Sequence, residues 1–165
     1  MTQPALASII IRTKNEERWI SHSLTMLFNQ DFKDFEVILV DNKSTDHTVE
    51  VAKRFPIKKI VSIENFRPGH SINEGIRVSS GNYIVCLSAH CVPKSPLWLT
   101  QLLSNFADNP KLAGVYGRQL PVSFTSAVDK RDLLIVFGLD LAVFLLFLSS
   151  NSSKLIALNS IWASA

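Results

Sequence analysis

A chain of 165 residues has room for one domain with a real core, and too little for two comfortable ones. Its 47% hydrophobic and 19% charged content excludes a disordered chain. The net charge of +3 comes without a dense Lys/Arg run, which argues against nucleic acid and suits anionic small molecules or an anionic membrane face.

Ala5 to Ile11 is a short apolar, β-branched run that predicts a buried strand. The polar turn Arg12-Thr13-Lys14-Asn15 follows, then a helix with Trp19, Ile20, Ser23, Leu24, Leu27 and Phe28 on one face. Phe35 to Val40 predicts the second strand, and the loop Asp41 to Asp46 offers an N-cap for a helix through Val49, Val51 and Ala52. Ile57 to Ile63 reads as a third strand, and His70 to Ser79 as a helix after the Pro68-Gly69 breaker. Tyr83 to Leu87 is a fourth strand. Ser95-Pro96 predicts the opening of a helix carrying Leu97, Trp98, Leu102, Leu103 and Phe106, and Leu112 to Tyr116 a fifth strand.

Strand and helix alternate, so the expected fold class is α/β with a mostly parallel sheet flanked by helices. In such sheets ligands bind outside the carboxyl ends of the strands. The segments RTKNEE, DNKSTD and SAHCVP, after strands one, two and four, are therefore where chemistry is expected.

Beyond Arg131 the character changes. Leu133 to Leu148 is nearly all apolar, broken by Gly138 and Asp140, and shorter than the ~20 apolar residues of a membrane helix. Three readings stand, in this order: a helix buried or exposed by truncation, a non-native tail, a membrane anchor. The N-terminal segment lacks a basic n-region and its apolar run is too short for a signal peptide, so a cytoplasmic protein is expected. Cys86 and Cys91 fit neither a redox pair nor a zinc pair and are expected to be free thiols.

Taken residue by residue, each candidate has a plain alternative. Asp41 can accept hydrogen bonds from a base N–H or a ribose hydroxyl, or serve as an N-cap or Asx-turn residue. His90 can bind a metal, or a diphosphate when protonated, or be structural; no second His or carboxylate lies near it in sequence. Arg12, Lys14 and Arg67 offer cations to phosphates, although surface cations are usually just solvated. His70 suits a base or a helix cap, and Asn73 and Gly75 suit a site lining or ordinary helix packing.

Together the pieces resemble glycosyltransferase family 2, whose members have the GT-A (nucleotide-diphospho-sugar transferase) fold. The turn Thr13-Lys14-Asn15-Glu16 is similar to the family's T/Y-x-N-E. Val40-Asp41-Asn42-Lys43-Ser44-Thr45-Asp46-His47-Thr48 is similar to V-D-D-x-S-T-D-x-T. Gly69 to Gly75 follows G-x-x-x-N-x-G, and Gly81 to Leu87 follows G-x-Y-I-x-x-L, which leads into a D-x-D-type site. The resemblance covers roughly Ala7 to Leu120. The F-x-x-G-H-S-x-N stretch and Pro93 look most like rhamnosyltransferase-type members, which carry Q-D-A where this chain has Ala89-His90-Cys91.

Carried over by position, the resemblance implies that Asp41 recognises the base, a uracil or thymine. It places Thr13 and Glu16 beside base or ribose and Asp46 mainly as a helix cap; Arg67 and Asn73, from the reading of the residues themselves, are counted with the nucleotide-binding group. The metal position falls on His90, with Ser88 and Cys91 beside it. There the chain departs from the pattern, because Ser88-Ala89-His90-Cys91 supplies no carboxylate. Two alternatives stay open: a divalent metal (Mn or Mg) with His90 as ligand, or a diphosphate held without metal by protonated His90 and Arg67. The division implied is a nucleotide-sugar-binding half at 1–122 and an apolar tail at 123–165, a truncated or atypical acceptor side.

The implied activity is inverting transfer from a UDP- or dTDP-sugar to a saccharide or lipid-linked acceptor, in making a cell-surface polysaccharide. It would take place in the cytoplasm or at the inner face of the membrane, with peripheral association and a homodimer both compatible. No general base is assigned: Asp129, Asp132 and Asp140 fall in no family motif. A truncated, inactive donor-binding domain and an unrelated α/β nucleotide-binding module are the alternatives, and the lack of glycine in RTKNEE disfavours the latter.

Overall fold

The computed structural model describes residues 6–64, 67–108, 112–117, 120–121, 126–128, 130–131 and 155–159. In chain order these form β1 (Ala7–Thr13), α1 (Glu17–Phe28), β2 (Phe35–Asp41), α2 (Thr48–Ala52) and β3 (Lys59–Ser62). There follow α3 (Pro68–Arg77), β4 (Tyr83–Ser88), α4 (Trp98–Asp108), β5 (Gly114–Tyr116) and β6 (Leu155–Asn159). The sheet has the order β3-β2-β1-β4-β6-β5, and each recorded pairing is parallel. The α/β class with a parallel sheet is therefore as the alternation of elements predicts.

Strands of a sheet covered on both faces are apolar on both sides, and β1 shows this: Ile9, Ile10 and Ile11 are all fully buried. Ile9 and Ile11 belong to the core under α1 and α4, with Ile20, Leu24, Leu27, Leu99 and Phe106. Ile10 belongs to the core on the other face, with Ile38, Val40, Ile84 and Cys86, against which Ile72 and Ile76 of α3 pack. Gly75 lets α3 lie close: a Cβ there would sit 2.4 Å from Ile10 Cγ2. Of the two roles open to Gly75, helix packing is the one seen.

Several boundaries differ from expectation. β1 runs two residues beyond Ile11 because Arg12 and Thr13 pair with Val40 and Asp41, and Arg12 also pairs with Ser88. α4 begins at Trp98 rather than at Ser95-Pro96. Its early N–H groups are served from elsewhere: fully buried Gln30 accepts from Leu99 N at 2.9 Å through Oε1 and donates to Ser95 O at 2.8 Å. The tail contributes a strand no periodicity announced, β6, which pairs with β4 and β5. The apolar run Leu133 to Leu148 lies outside the described residues. Among those described, no helix is long and apolar enough to cross a membrane. Cys86 and Cys91 are free thiols, both buried.

Two polar devices fix the sheet's ends. At the amino end, buried Glu36 accepts from Ser8 Oγ (2.6 Å), Ser80 N (2.6 Å) and Ser80 Oγ (2.7 Å), and pairs with Lys58. Burial alone would raise the pKa of this carboxyl, but the bonds from Lys58, Ser8 and Ser80 outweigh it and bring the pKa to about 2. At the carboxyl end, Asp46 accepts from Thr48 N (3.0 Å) at the start of α2 and from Glu17 N (3.1 Å) at the start of α1. Glu17 answers by accepting from His47 N at 2.9 Å. The helix-capping role expected of Asp46 is thus double, joining two helix starts far apart in sequence.

Both devices can be tested. Because its pKa is lowered on folding, Glu36 contributes stability that is present above about 4.5 and lost as pH falls through about 2. Unfolding free energy of the wild type should fall across that window by on the order of 2–3 kcal/mol from this group. Urea denaturation at stepped pH should show that component missing in Glu36→Gln. Asp46→Ala removes one acceptor from two helix starts and should cost about 1–2 kcal/mol in the same assay at neutral pH; an unchanged midpoint would show that water replaces the carboxylate fully.

Candidate functional site

Parallel pairing puts every strand's carboxyl end at one edge of the sheet. Thr13 lies in register with Asp41, Asp41 with Ser62, and Arg12 with Ser88. The three segments singled out in sequence therefore emerge side by side. Alternation along the strands divides them between the two faces. Thr13 and Asp41 follow Ile11 and Leu39 toward the α1 side, whereas Arg12 and Ser88 follow Ile10 and Cys86 toward the α3 side.

The first two loops are laced together by side chains that accept backbone N–H groups. Asn15 Oδ1 accepts from Thr45 N (2.8 Å), Ser44 Oγ from Asn15 N (2.9 Å), and Thr48 Oγ1 from Glu16 N (2.7 Å). Lys14 Nζ donates to Asn42 O at 2.9 Å. Both loops contain a left-handed residue, Asn15 at φ 53° and Lys43 at φ 47°. Asn tolerates that conformation; for Lys it is uncommon. This lacing holds the turn after β1 in a fixed relation to Asp41.

Asp41 is 5% exposed, and its carboxylate accepts from Ser44 N at 3.0 Å and from Ser44 Oγ at 2.5 Å. The local turn weighed for this residue is therefore present. A carboxylate has about four acceptor positions, so the two bonds to Ser44 leave capacity for a ligand. Thr13, also 5% exposed, has a buried hydroxyl with no hydrogen-bond partner among the described residues. An unsatisfied buried hydroxyl is costly, and this one lies in register with Asp41.

The turn after β4 is tied once to α1 and once to Glu16, the residue just ahead of it. Ser23 Oγ donates to Cys91 O at 2.6 Å, and His90 Nδ1 lies 2.8 Å from Glu16 Oε1. His90 and Glu16 are both mostly buried, at 25% and 21% side-chain exposure. A carboxylate partner for His90, not found nearby in sequence, is thus supplied from 74 positions away. Ser88 is partly buried at the end of β4, where its carbonyl accepts from Cys91 N at 2.9 Å.

The remaining expected residues lie on α3. Since α3 leaves β3 and leads to β4, both parallel to β1 and β2, its first residues start at the same carboxyl edge. Arg67 immediately precedes it and is exposed. Asn73 is exposed five residues into the helix, roughly 8 Å along its axis. His70 is exposed in the first turn, and the helix begins ahead of it at Pro68.

A divalent cation that bridges a sugar diphosphate prefers oxygen ligands, above all carboxylates. Residues 88–91 provide a hydroxyl, an imidazole engaged with Glu16, and a cysteine that is fully buried. Among the described residues no three His, Cys, Asp or Glu side chains come together as a metal group. This donor set does not fit a Mg²⁺ or Mn²⁺ cage. Sequence reasoning missed the His90–Glu16 pair and the tie from Ser23 to Cys91, since both join residues distant along the chain.

The chain has known relatives in sequence and in shape. It is 33% identical over 149 residues to the poly(ribitol-phosphate) beta-glucosyltransferase of Bacillus spizizenii, a match covering 80% of this chain and 24% of the relative. It resembles the structure of Staphylococcus aureus TarS 1–349 in complex with UDP-GlcNAc, with TM-score 0.63 and 22% identity over 73% of this chain and 36% of that one. It also resembles mannosyltransferase PcManGT from Pyrobaculum calidifontis in complex with GDP-Man and Mn²⁺, with TM-score 0.62 and 22% identity over 81% and 39% of the two chains. The chain thus spans less than two fifths of each of these proteins. The likeness in shape shows the fold, a sheet of the GT-A type. Residues 8–148 match the model of glycosyl transferase family 2, and the chain belongs to that family.

Proposed function

We propose that this chain is the donor-binding part of a glycosyltransferase that takes a UDP- or dTDP-sugar, inverts it at the anomeric carbon, and serves cell-surface polysaccharide synthesis. The observation that carries this reading is the shared carboxyl edge of β1, β2 and β4. It gathers Asp41, the unpartnered hydroxyl of Thr13 and the Glu16–His90 pair into one region. Asp41 would accept from the base N–H, and Thr13 and Glu16 would flank base or ribose. Ser88, His90 and Arg67 would lie toward the diphosphate, with Asn73 on the helix beside it.

The polysaccharide reading draws support from the poly(ribitol-phosphate) transferase among its relatives, and the uridine reading from the TarS complex. Residues 1–122 would hold the donor, and the acceptor would be a saccharide or a lipid-linked one. A net charge of +3 suits work at the anionic inner face of a membrane. Glycosyl transfer also needs a base for the acceptor hydroxyl. No described residue is assigned that role, so donor binding is the property to test.

UDP or dTDP should stabilise the fold: at ~100 times the dissociation constant, ligand adds about 2.7 kcal/mol. Thermal melting with each nucleoside diphosphate measures this, and Asp41→Ala should abolish the shift while leaving a folded chain. If the variant responds like the wild type, Asp41 acts only in its turn with Ser44. If no nucleoside diphosphate shifts the wild type, the donor reading fails altogether.

A further inference from the structure

The donor reading leaves a diphosphate whose charge no metal cage offsets, and besides Arg67 a second cation at the edge is placed to do so. Arg12 sits in β1 beside Ser88 of β4, and its carbonyl accepts from Ala89 N at 3.2 Å, so it adjoins the turn that carries His90. The residue is partly buried. Its side chain makes no hydrogen bond or ion pair among the described residues. Several other cations are engaged, Lys14 on Asn42 O, Lys43 on Glu64, Lys58 on Glu36 and Arg77 on Glu74, while Arg67 stands exposed just ahead of α3.

A partly buried arginine without a protein partner keeps its five donors for water or for a ligand. An anion can take up those donors, since the planar fork of arginine matches phosphate oxygens two at a time. The next residue, Thr13, leaves its own buried polar group unsatisfied, on the opposite face of the strand. Two successive residues of one strand end thus carry hydrogen-bonding groups that no described residue engages, one neutral and one charged. That division suits a ligand with a neutral part and an anionic part.

We propose that Arg12 anchors the diphosphate of the nucleotide donor, supplying from the protein the positive charge that a divalent ion would otherwise bring. This rests on the donor reading above, and the two can fail separately. The test is titration of the chain with UDP and with uridine, by calorimetry for the first and by NMR for the weaker second, in EDTA and again with Mn²⁺ or Mg²⁺.

The wild type is expected to bind UDP in EDTA, with metal changing its affinity by no more than about twofold. Arg12→Gln should lower UDP affinity by about tenfold or more while uridine binding is unchanged, and Arg12→Lys should recover part of the loss. UDP binding that appears only with metal, or an Arg12→Gln chain that holds UDP as the wild type does, overturns the role of Arg12 and leaves the nucleoside site standing. Binding of neither ligand overturns both. Should Arg12→Gln not fold, the lysine variant and the metal-free wild type still decide.

Discussion

Parallel pairing of β1 with β2 on one side and with β4 on the other determines nearly everything that follows. Once Thr13 is in register with Asp41 and Arg12 with Ser88, three loops distant in sequence must leave the sheet at one edge. The pairing does not by itself fix their conformations. That is the task of Asn15, Ser44, Asp46 and Thr48, which satisfy the backbone N–H groups of one loop with side chains of the other. Ser23 and Glu16 then draw in the turn after β4. The result is a rim whose parts brace one another, as a preorganised binding region requires.

The two ends of the sheet are treated differently. At the amino end the charge of Glu36 is matched by Lys58 and two serines, and Gly81 lies so close that a Cβ would meet Ser8 Oγ at 2.6 Å. There the side chains of Ser8, Glu36, Lys58 and Ser80 satisfy one another. At the carboxyl end, among the described residues, the buried Thr13 hydroxyl has no hydrogen-bond partner and the Arg12 side chain has no protein partner. An unsatisfied buried polar group lowers stability, and the one on Thr13 lies where a ligand is expected to complete it.

Much of the fold could be read from residue pattern. The β-branched run through Ile9, Ile10 and Ile11 and the alternation of strands with amphipathic helices were enough for a parallel α/β sheet. Strand ends were less legible, because Arg12, Thr13 and Ser88 are polar and look like loop, while their pairing partners lie far off in sequence. The same reason hid Gln30 as the group serving the start of α4, and Glu16 as the partner of His90. Asp41 was visible as a candidate from its place after an apolar run, but its bonds to Ser44 show why position alone left two roles open. Strand β6 had no signal, since the tail it comes from shows no period of its own.

The central claim is that one nucleotide-binding surface spans the carboxyl edge of β1, β2 and β4. Amide chemical-shift mapping with UDP on the isotope-labelled chain tests it most directly. The account predicts that the perturbed amides fall at residues 12–16, 41–45 and 88–91, while the amino-end group of Ser8, Glu36 and Ser80 stays unmoved. Shifts centred on that amino end, or scattered without regard to the three loops, would contradict it.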